Sequence, residues 1–446
     1  MAVTLERPTE PLGDGGAPPV ESRTPVPGAP NLGRTVKVVG PVEPVDPNQG
    51  PHPKNSRGEL GKALFNYYRN NISKDPLGRV GAGTHSADRR NVISEYLNKV
   101  PKGDISSNRM PVTDPEAMTN HIKRVGEYFG ADIVGVARAH PSILYGGGRY
   151  SDDGTTADSA GQETPEDLCR KYPYLVFATT AWDYEKVQAH RHHIGDAAYH
   201  FSQMKANLVL KSLEGYIKEL GYNVLRATAN PQATAIAAGV GELGRNGLVI
   251  TPKFGARVHM PNTIMTDLPL APGEPIDIGV DDFCKVCRKC AITCPTNSIS
   301  FGDKVVFNGV EKYKINWLTC YKLRPFVTDY WGSCLTCVAV CPFTKPDTWW
   351  HNLAIRSLQT TPLPLREKTV RALKAIDDRF WGVVKQKRVQ WMGYDSGVKP
   401  GEKACTVAGC TASHDEASHN GSAVGDQGYY FPLKENTNRF VRRDVV

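Results

Sequence analysis

The 446-residue chain lacks any run of eighteen or more apolar residues, which excludes an ordinary transmembrane helix. Its first residues lack a basic segment followed by an apolar stretch, and no twin arginine precedes an apolar run. We therefore expect a cytoplasmic protein, although a processed exported chain would show the same features. The net charge of +8 is small for this length and the basic residues are dispersed, so no nucleic-acid binding is expected.

Two nucleotide-binding motifs are also missing from the sequence. It has no G-x-x-x-x-G-K phosphate-binding loop, and no G-x-G-x-x-G opens a helix after a strand. The glycines at 146–148 lack that context and are interpreted as a loop. Flavin or nicotinamide binding is therefore unsupported.

Cysteines, in contrast, are concentrated in two short runs that both end in Cys-Pro. The run FCKVCRKCAITCP has the C-x2-C-x2-C-x3-C-P spacing of bacterial ferredoxins, whose thiolates hold a 4Fe-4S cluster. The run CLTCVAVCP provides three more cysteines, and Cys320, fourteen positions before Cys334, is the expected fourth ligand. The eight predicted ligands are Cys284, Cys287, Cys290, Cys294, Cys320, Cys334, Cys337 and Cys341.

In two-cluster ferredoxins the fourth cysteine of each run binds the other cluster. This rule assigns Cys341 to the cluster of Cys284, Cys287 and Cys290, and it groups the remaining ligands as Cys294, Cys320, Cys334 and Cys337. Zinc sites prefer two separated pairs of ligands, and disulfides are not expected in a chain of this size without an export signal. Two 4Fe-4S clusters are therefore favoured over zinc or disulfides.

The rest of the chain predicts an α/β (α+β) protein behind a proline-rich segment. Residues 1–55 are predicted to be disordered, since 1–53 hold twelve prolines and few large apolar residues. A helix capped by Thr113 or Asp114 precedes the strand pattern ADIVGVAR, and a second strand is predicted within 172–182. The loop near 145–168 is interpreted as an insertion, and a long amphipathic helix is predicted from Ala198 to Leu220.

Three stretches of the sequence resemble the catalytic subunit of corrinoid-dependent reductive dehalogenases. They are AAGVGELGRNGLVITPKFGARVHMPNTIMTDLPL (residues 237–270), DDFCKVCRKCAITCPTNSIS and CLTCVAVCPFTKPDTWWH. The resemblance covers roughly residues 115–350, and the nearest relative of that family is epoxyqueuosine reductase. It implies a nitroreductase-like corrinoid-binding core over 56–275, a ferredoxin-like domain over 276–350 and a C-terminal extension, 351–446, that packs on the core.

The resemblance also implies a base-off corrinoid without a protein ligand to cobalt. The D-x-H-x-x-G motif of corrinoid proteins that provide such a histidine is missing, because His190 stands where the motif before His192 and Gly195 requires aspartate. Electrons from an external donor, a ferredoxin or flavodoxin, would pass through both clusters to cobalt. Low-valent cobalt would then attack an organohalide, and halide would be replaced by hydrogen.

Carbon–halogen cleavage of this kind needs a proton, which the family takes from a tyrosine. The resemblance places that role on Tyr199, with Arg257 as the cation that stabilises its phenolate and Arg245 as the second choice. Asn230 occupies the place where epoxyqueuosine reductases carry a catalytic aspartate, although it could merely initiate a turn before Pro231. An aromatic substrate pocket could draw on four residues: Trp331, Trp349, Trp350 and Trp381.

Two alternative functions stay open at the level of sequence. An epoxyqueuosine reductase acting on tRNA is disfavoured by GELGRN in place of a G-W-I-G-K-N run and by Asn230. The other alternative is a plain electron carrier whose large N-terminal domain only docks partners. A further zinc site is conceivable in the polar tail, where four candidate ligands follow one another: Cys405, Cys410, His414 and His419.

Overall fold

The structure is a computed structural model that describes ten stretches of the chain: residues 24–46, 49–62, 64–65, 103–146, 164–227, 229–261, 263–324, 333–382, 390–391 and 394–395. Most of the expected insertion, Trp331 and the four candidate zinc ligands of the tail lie outside these residues. Within them, no helix is both long enough and apolar enough to cross a membrane.

Strands and helices are numbered here in chain order. The strands are β1 (Lys37–Val38), β2 (Ile133–Arg138), β3 (Tyr174–Thr179), β4 (Val224–Ala227), β5 (Glu242–Leu243), β6 (Val249–Ile250), β7 (Thr263–Thr266), β8 (Val305–Phe307), β9 (Val310–Lys312), β10 (Gln390–Trp391) and β11 (Tyr394–Asp395). The helices are α1 (Pro51–Ser56), α2 (Pro115–Tyr128), α3 (Pro165–Lys171), α4 (Tyr184–Val187), α5 (His193–Glu219), α6 (Pro231–Ala237), α7 (Val280–Val286), α8 (Lys289–Ile292), α9 (Trp317–Leu323), α10 (Thr336–Ala339), α11 (Trp349–Thr360) and α12 (Leu363–Phe380).

A four-stranded antiparallel sheet with the order β2-β3-β7-β4 forms the centre of the larger domain. Because side chains alternate along a strand, Val136 and Val176 point to one face while Ala137 and Phe177 point to the other. Helices α2 and α5 cover the first face, and α3, α6 and residues 29–42 cover the second. The sheet is thus buried on both sides, as its nearly continuous apolar strands require.

The two helices predicted from the sequence, α2 and α5, are both present, although α5 begins earlier than expected. Asp114 caps α2 by accepting hydrogen bonds from the amides of Glu116 and Ala117. Helix α5 begins at His193, five residues before the expected start, because the ring of His192 accepts from the amide of Ile194. The additional turn carries buried Ile194. The apolar face of α5 therefore begins before Ala198, where the sequence pattern placed its start.

The prediction of disorder up to residue 55 is wrong for residues 24–46 and 49–55. Strand β1 pairs with β9, and the amide of Val39 donates to the carbonyl of Gly309. Leu32, Val36 and Val38 are buried against the second face of the central sheet. Composition missed this segment because few but well-spaced apolar residues can be ordered by partners that are distant in sequence.

The C-terminal helices α11 and α12 pack at the junction of the two domains. Ile355, Leu358 and Val370 join a buried cluster that contains Trp182 and Ile250 from the larger domain. The same cluster contains apolar residues of α7 and of the loop around α10, which carry cysteines. The extension therefore contacts the cysteine-bearing domain as well as the core.

Candidate functional site

All eight predicted cluster ligands lie on short helices or in the segments directly before or after them. In the first quartet, Cys284 lies in α7, Cys287 ends that helix and Cys290 lies in α8. Burial raises the pKa of Cys284, and the thiols of Cys341 and Cys287 raise it further. Burial and the thiols of the other three members likewise raise the pKa of Cys290. The fold thus brings the four side chains of this quartet within electrostatic range.

The second quartet assembles in the same way around α9 and α10. Burial raises the pKa of Cys320 to about 12, and nearby Cys334 and Cys294 contribute to the rise. The pKa of Cys337 is raised by burial and then by the other three thiols of its quartet. The thiol of Cys341 also raises the pKa of Cys337. The two quartets are therefore neighbours, as electron transfer between two clusters requires.

The chemistry around these thiols suits iron–sulfur clusters. The amide of Arg245 donates to Cys284 Sγ at 3.4 Å, and the amide of Ser298 donates to Cys294 Sγ at 3.3 Å. Such bonds stabilise thiolate and cluster sulfur. Among the described residues, no three His, Cys, Asp or Glu side chains converge as a single metal ion requires. A cluster places each thiolate on a different iron, so its four ligands need not meet at one point.

Tyr199 lies in the second turn of α5, where three aromatic rings surround it. Its half-buried ring meets Trp182, His200 and His259 with centroid distances of 5.2, 4.9 and 5.5 Å. Burial raises the pKa of the hydroxyl, the charge of Arg324 lowers it and Asp196 raises it. Tyr199 therefore keeps its proton at neutral pH and has a cation in range to stabilise the phenolate.

Arg324 is a candidate site residue that the sequence analysis does not name. It follows α9, which carries Cys320, and its charge acts on the pKa values of both Cys320 and Tyr199. No pattern in the sequence separates this arginine from other surface arginines beside a helix. Only the effect of its charge on both a cluster ligand and the tyrosine identifies it.

Arg257 is buried next to the residues that surround Tyr199. Its guanidinium donates to the carbonyl of Trp182 at 2.5 Å, and the amide of Trp182 donates back to the carbonyl of Arg257 at 2.8 Å. Burial lowers its pKa and Asp183 opposes this. Gly255, with a φ of 57°, lets this segment approach the backbone of Phe343, where a side chain would collide. Arg257 thus links to Tyr199 through Trp182.

Asn230 and Arg245 make mainly structural contacts. Asn230 caps α6, and its Oδ1 accepts from the amides of Gln232 and Ala233, both at 3.1 Å. The guanidinium of Arg245 donates to the carbonyls of Cys284, Ser300 and Gly302. Arg245 therefore supports the first quartet instead of the tyrosine, and a catalytic role for Asn230 stays a prediction.

The start of α5 is attached directly to the second quartet. The amide of Arg191 donates to the carbonyl of Cys334 at 2.8 Å, and Asp196 accepts from the amide of Ser333 at 2.6 Å. Arg191 has a left-handed φ of 67°, which a residue other than glycine adopts only when contacts hold it. The helix that carries Tyr199 is therefore hydrogen-bonded to the loop at 333–337, which carries two cluster ligands.

The described tryptophans of the expected aromatic pocket lie in α11 and at the end of α12. Trp349 is 78% exposed, whereas Trp350 stacks on Trp381 with 5.4 Å between ring centroids. The tryptophan that meets Tyr199 is Trp182, which the sequence analysis did not select. Three buried donor atoms in this region, Trp182 Nε1, Gln188 Nε2 and Arg257 Nε, have no hydrogen-bond partner in the described structure.

Parts of this chain are similar to known proteins. Residues 283–345 match the family model of the 4Fe-4S dicluster domain. Tetrachloroethene reductive dehalogenase of Sulfurospirillum multivorans is 30% identical over 266 residues, which are 54% of this chain and 53% of that protein. The enzyme of the same name from Dehalobacter restrictus is 32% identical over 232 residues, 50% of this chain and 39% of that one. The chain thus spans about half the length of these relatives or less.

Solved structures share the fold. A reductive dehalogenase structure described in terms of B12-dependent dehalogenation has a TM-score of 0.60 at 23% identity, covering 79% of this chain and 49% of that one. The catabolic reductive dehalogenase NpRdhA in complex with 3-bromo-4-hydroxybenzoic acid has a TM-score of 0.58 at 24% identity, covering 79% and 49%. An epoxyqueuosine reductase of Listeria monocytogenes is 32% identical over 119 residues, which are 25% of this chain and 29% of that one.

Proposed function

We propose that this chain, a homologue of the reductive dehalogenases with a 4Fe-4S dicluster domain, replaces the halogen of a small organohalide by hydrogen. The reaction consumes two electrons and one proton and releases halide, R–X + 2e⁻ + H⁺ → R–H + X⁻. The observation that carries the proposal is the attachment of the Tyr199 helix to the second quartet through Arg191 and Cys334. A proton donor and an electron source therefore meet at one place.

A corrinoid in a nitroreductase-like core would supply the low-valent cobalt that breaks the carbon–halogen bond. The buried donors Trp182 Nε1, Gln188 Nε2 and Arg257 Nε fit such a group, because the amide side chains of a corrin ring offer carbonyl acceptors. These three residues would hold its periphery.

The positions of the two quartets predict the order in which electrons would pass through the clusters. Cys294, Cys320, Cys334 and Cys337 would hold the cluster nearer to Tyr199, because Ser333 and Cys334 contact the start of α5. The quartet of Cys284 would hold the outer cluster, which would be reduced by a low-potential donor such as a ferredoxin or flavodoxin.

Tyr199 would provide the proton. Burial keeps its hydroxyl protonated at neutral pH, and the charge of Arg324 stabilises the phenolate that remains after transfer. Trp182 supports the ring edge-on and excludes water from one side of it. The proton would be replaced from solvent after release of product.

Anaerobic reconstitution with cobalamin, iron and sulfide tests the proposal. Protein that retains about one corrinoid and eight irons should release halide, with matching dehalogenated product, from a panel of aryl and alkenyl halides under reduced viologen. Protein that binds iron but retains no corrinoid would instead be an electron carrier. Full cofactor content with reduction of epoxyqueuosine in tRNA, and no halide release, would assign the function to the other relative.

A further inference from the structure

Four charged side chains, three of them buried, form a network beside the first quartet. The ammonium of Lys289 is ion-paired with Asp377 and lies 2.8 Å from Asp378 Oδ1. The ammonium of Lys345 lies 2.8 Å from Asp377 Oδ1. The side chains of Lys289, Lys345 and Asp377 are 2%, 5% and 8% exposed. Burying three charges is costly, so a network of this kind calls for a function.

The network is attached to the cluster ligands by the chain itself. Lys289 lies between Cys287 and Cys290 in sequence, and Lys345 follows Cys341 by four residues. Asp377 pairs with both lysines, so its carboxylate lies beside the two chain segments that carry these ligands.

Aromatic rings shield these charges from water. The ammonium of Lys345 lies 4.4 Å from the centroid of the Trp381 ring, on which Trp350 stacks. His351 is buried nearby, and burial followed by Lys345 lowers its pKa, so it adds no charge at neutral pH. Lys374 contacts the outer carboxylate, with its ammonium 2.5 Å from Asp378 Oδ2. In such an environment charges interact more strongly than they would in water.

We propose that Asp377 and the two lysines set the reduction potential of the cluster held by Cys284, Cys287, Cys290 and Cys341. Reduction takes one electron from an external low-potential donor, changes the cluster from [4Fe-4S]²⁺ to [4Fe-4S]¹⁺ and breaks no bond. Lys289 and Lys345 favour the reduced, more negative form, and Asp377 opposes them. Asp377 belongs to α12, outside the matched domain at 283–345, so the C-terminal extension tunes a cluster that it does not ligate.

Redox titration of two single variants, followed by electron paramagnetic resonance, tests this proposal. Asp377→Asn removes the negative charge and should make reduction of this cluster about tenfold more favourable at a given potential. Tenfold corresponds to about 59 mV for a one-electron couple. Lys345→Gln should shift the potential by a similar amount in the opposite direction. The cluster of Cys294 should shift by less than half as much in each case.

Glu367→Gln is the matched control, since it removes a carboxylate from the same helix in an exposed pair with Arg371. It should leave both potentials within a fifth of the Asp377→Asn shift. The double variant Asp377→Asn, Lys345→Gln restores the net charge and should return the potential close to wild type. The proposal depends on the dicluster domain and not on dehalogenation, so these potentials are informative even in protein without turnover.

If the network only stabilises the fold, the variants should behave differently. Asp377→Asn and Lys345→Gln would then both reduce cluster content or shift the potential in the same direction, and the double variant would be worse than either. Equal shifts of both clusters, or a shift no larger than that of Glu367→Gln, would likewise overturn the proposal.

Discussion

The rings of Trp182 and Tyr199 pack edge to face, with 5.2 Å between their centroids. Trp182 is itself fixed by Arg257, through one hydrogen bond to its carbonyl and one from its amide. The tyrosine is therefore positioned by a tryptophan whose backbone is held by a buried guanidinium. Changes at Arg257 should reach Tyr199 through this contact as well as through charge.

Tyr199→Phe is expected to abolish dehalogenation while both clusters and the corrinoid stay bound. The change deletes one hydroxyl and keeps the ring, so the packing against Trp182 should survive. Loss of a general acid costs about 10²- to 10⁴-fold in rate. Single-turnover decay of the reduced protein with substrate, at equal corrinoid content, measures the effect. More than about a third of wild-type turnover would rule out Tyr199 as the proton donor.

Tyr222→Phe serves as the matched control for this variant. Tyr222 is also buried, but its hydroxyl donates to the carbonyl of Met110 at 2.6 Å. Its removal should cost about 1 kcal/mol of stability and leave the rate of dehalogenation unchanged.

Arg257→Lys is expected to be milder than Arg257→Ala. Lysine keeps a charge and one donor for the carbonyl of Trp182, but loses the planar fork of the guanidinium. Alanine would leave that carbonyl without its donor and loosen the support of Tyr199. The rate of single turnover should fall about tenfold more for alanine than for lysine. Equal losses of rate in the two variants would mean that only the guanidinium geometry of Arg257 matters, and not its charge.

Arg324→Gln should slow proton donation and change its pH dependence. Burial raises the pKa of Tyr199 above its ordinary value of about 10, so the donor form persists through neutral pH and is lost only as pH rises through that pKa. Arg324 lowers this pKa, and its removal should move the alkaline limb of the rate profile to higher pH. A limb that moves to lower pH would contradict the assignment.

The sequence predicted the parts of this protein that depend on local spacing. The cysteine runs, Asp114 as a helix cap and the strands within 133–138 and 174–179 each follow from a short pattern. Grouping the cysteines as two interleaved quartets needed one general rule about two-cluster ferredoxins. The pKa relationships among the thiols follow the same grouping.

Other features depend on contacts between distant residues, which spacing does not encode. Strand β1 is ordered by β9, more than 270 residues away, and Arg324 gains its importance from Tyr199 on another helix. Asp377 appears in sequence as an ordinary charged residue of an amphipathic helix, but it is buried between two lysines. Trp182 belongs to no local motif, and only its contact with Tyr199 identifies it.

Cys294→Ser should damage the cluster held by Cys334 and Cys337 more than the cluster held by Cys284. Cys294 belongs to the first run of cysteines in sequence, but its neighbours in space belong to the second quartet. Wild-type protein should contain about eight irons and eight acid-labile sulfides. In the variant, iron analysis with electron paramagnetic resonance should show the signal of the Cys284 cluster retained. Loss of that signal first would reverse the assignment.

Glu242→Gln should stabilise the protein at alkaline pH. Glu242 is buried in β5, and one oxygen, Oε2, accepts from the amides of Ile278 and Val280 at 2.7 and 3.2 Å. Burial raises its pKa from 4.5 to about 7, with Asp277 and Asp281 adding to the rise. Glutamine can keep both hydrogen bonds with its carbonyl oxygen and carries no charge.

The sign of this effect depends on where the proton is bound. Between about pH 4.5 and pH 7 the folded state holds a proton on Glu242 that the unfolded state has lost, so stability falls as pH rises through this range. Glu242→Gln should therefore exceed wild type by roughly 1–3 kcal/mol at pH 8, and the difference should shrink towards pH 5. Anaerobic thermal unfolding at pH 5, 6.5 and 8, at equal iron content, measures it. Glu367→Gln, at an exposed carboxylate, should show no such trend, and a less stable Glu242→Gln at pH 8 would mean that the ionised form is preferred in the fold.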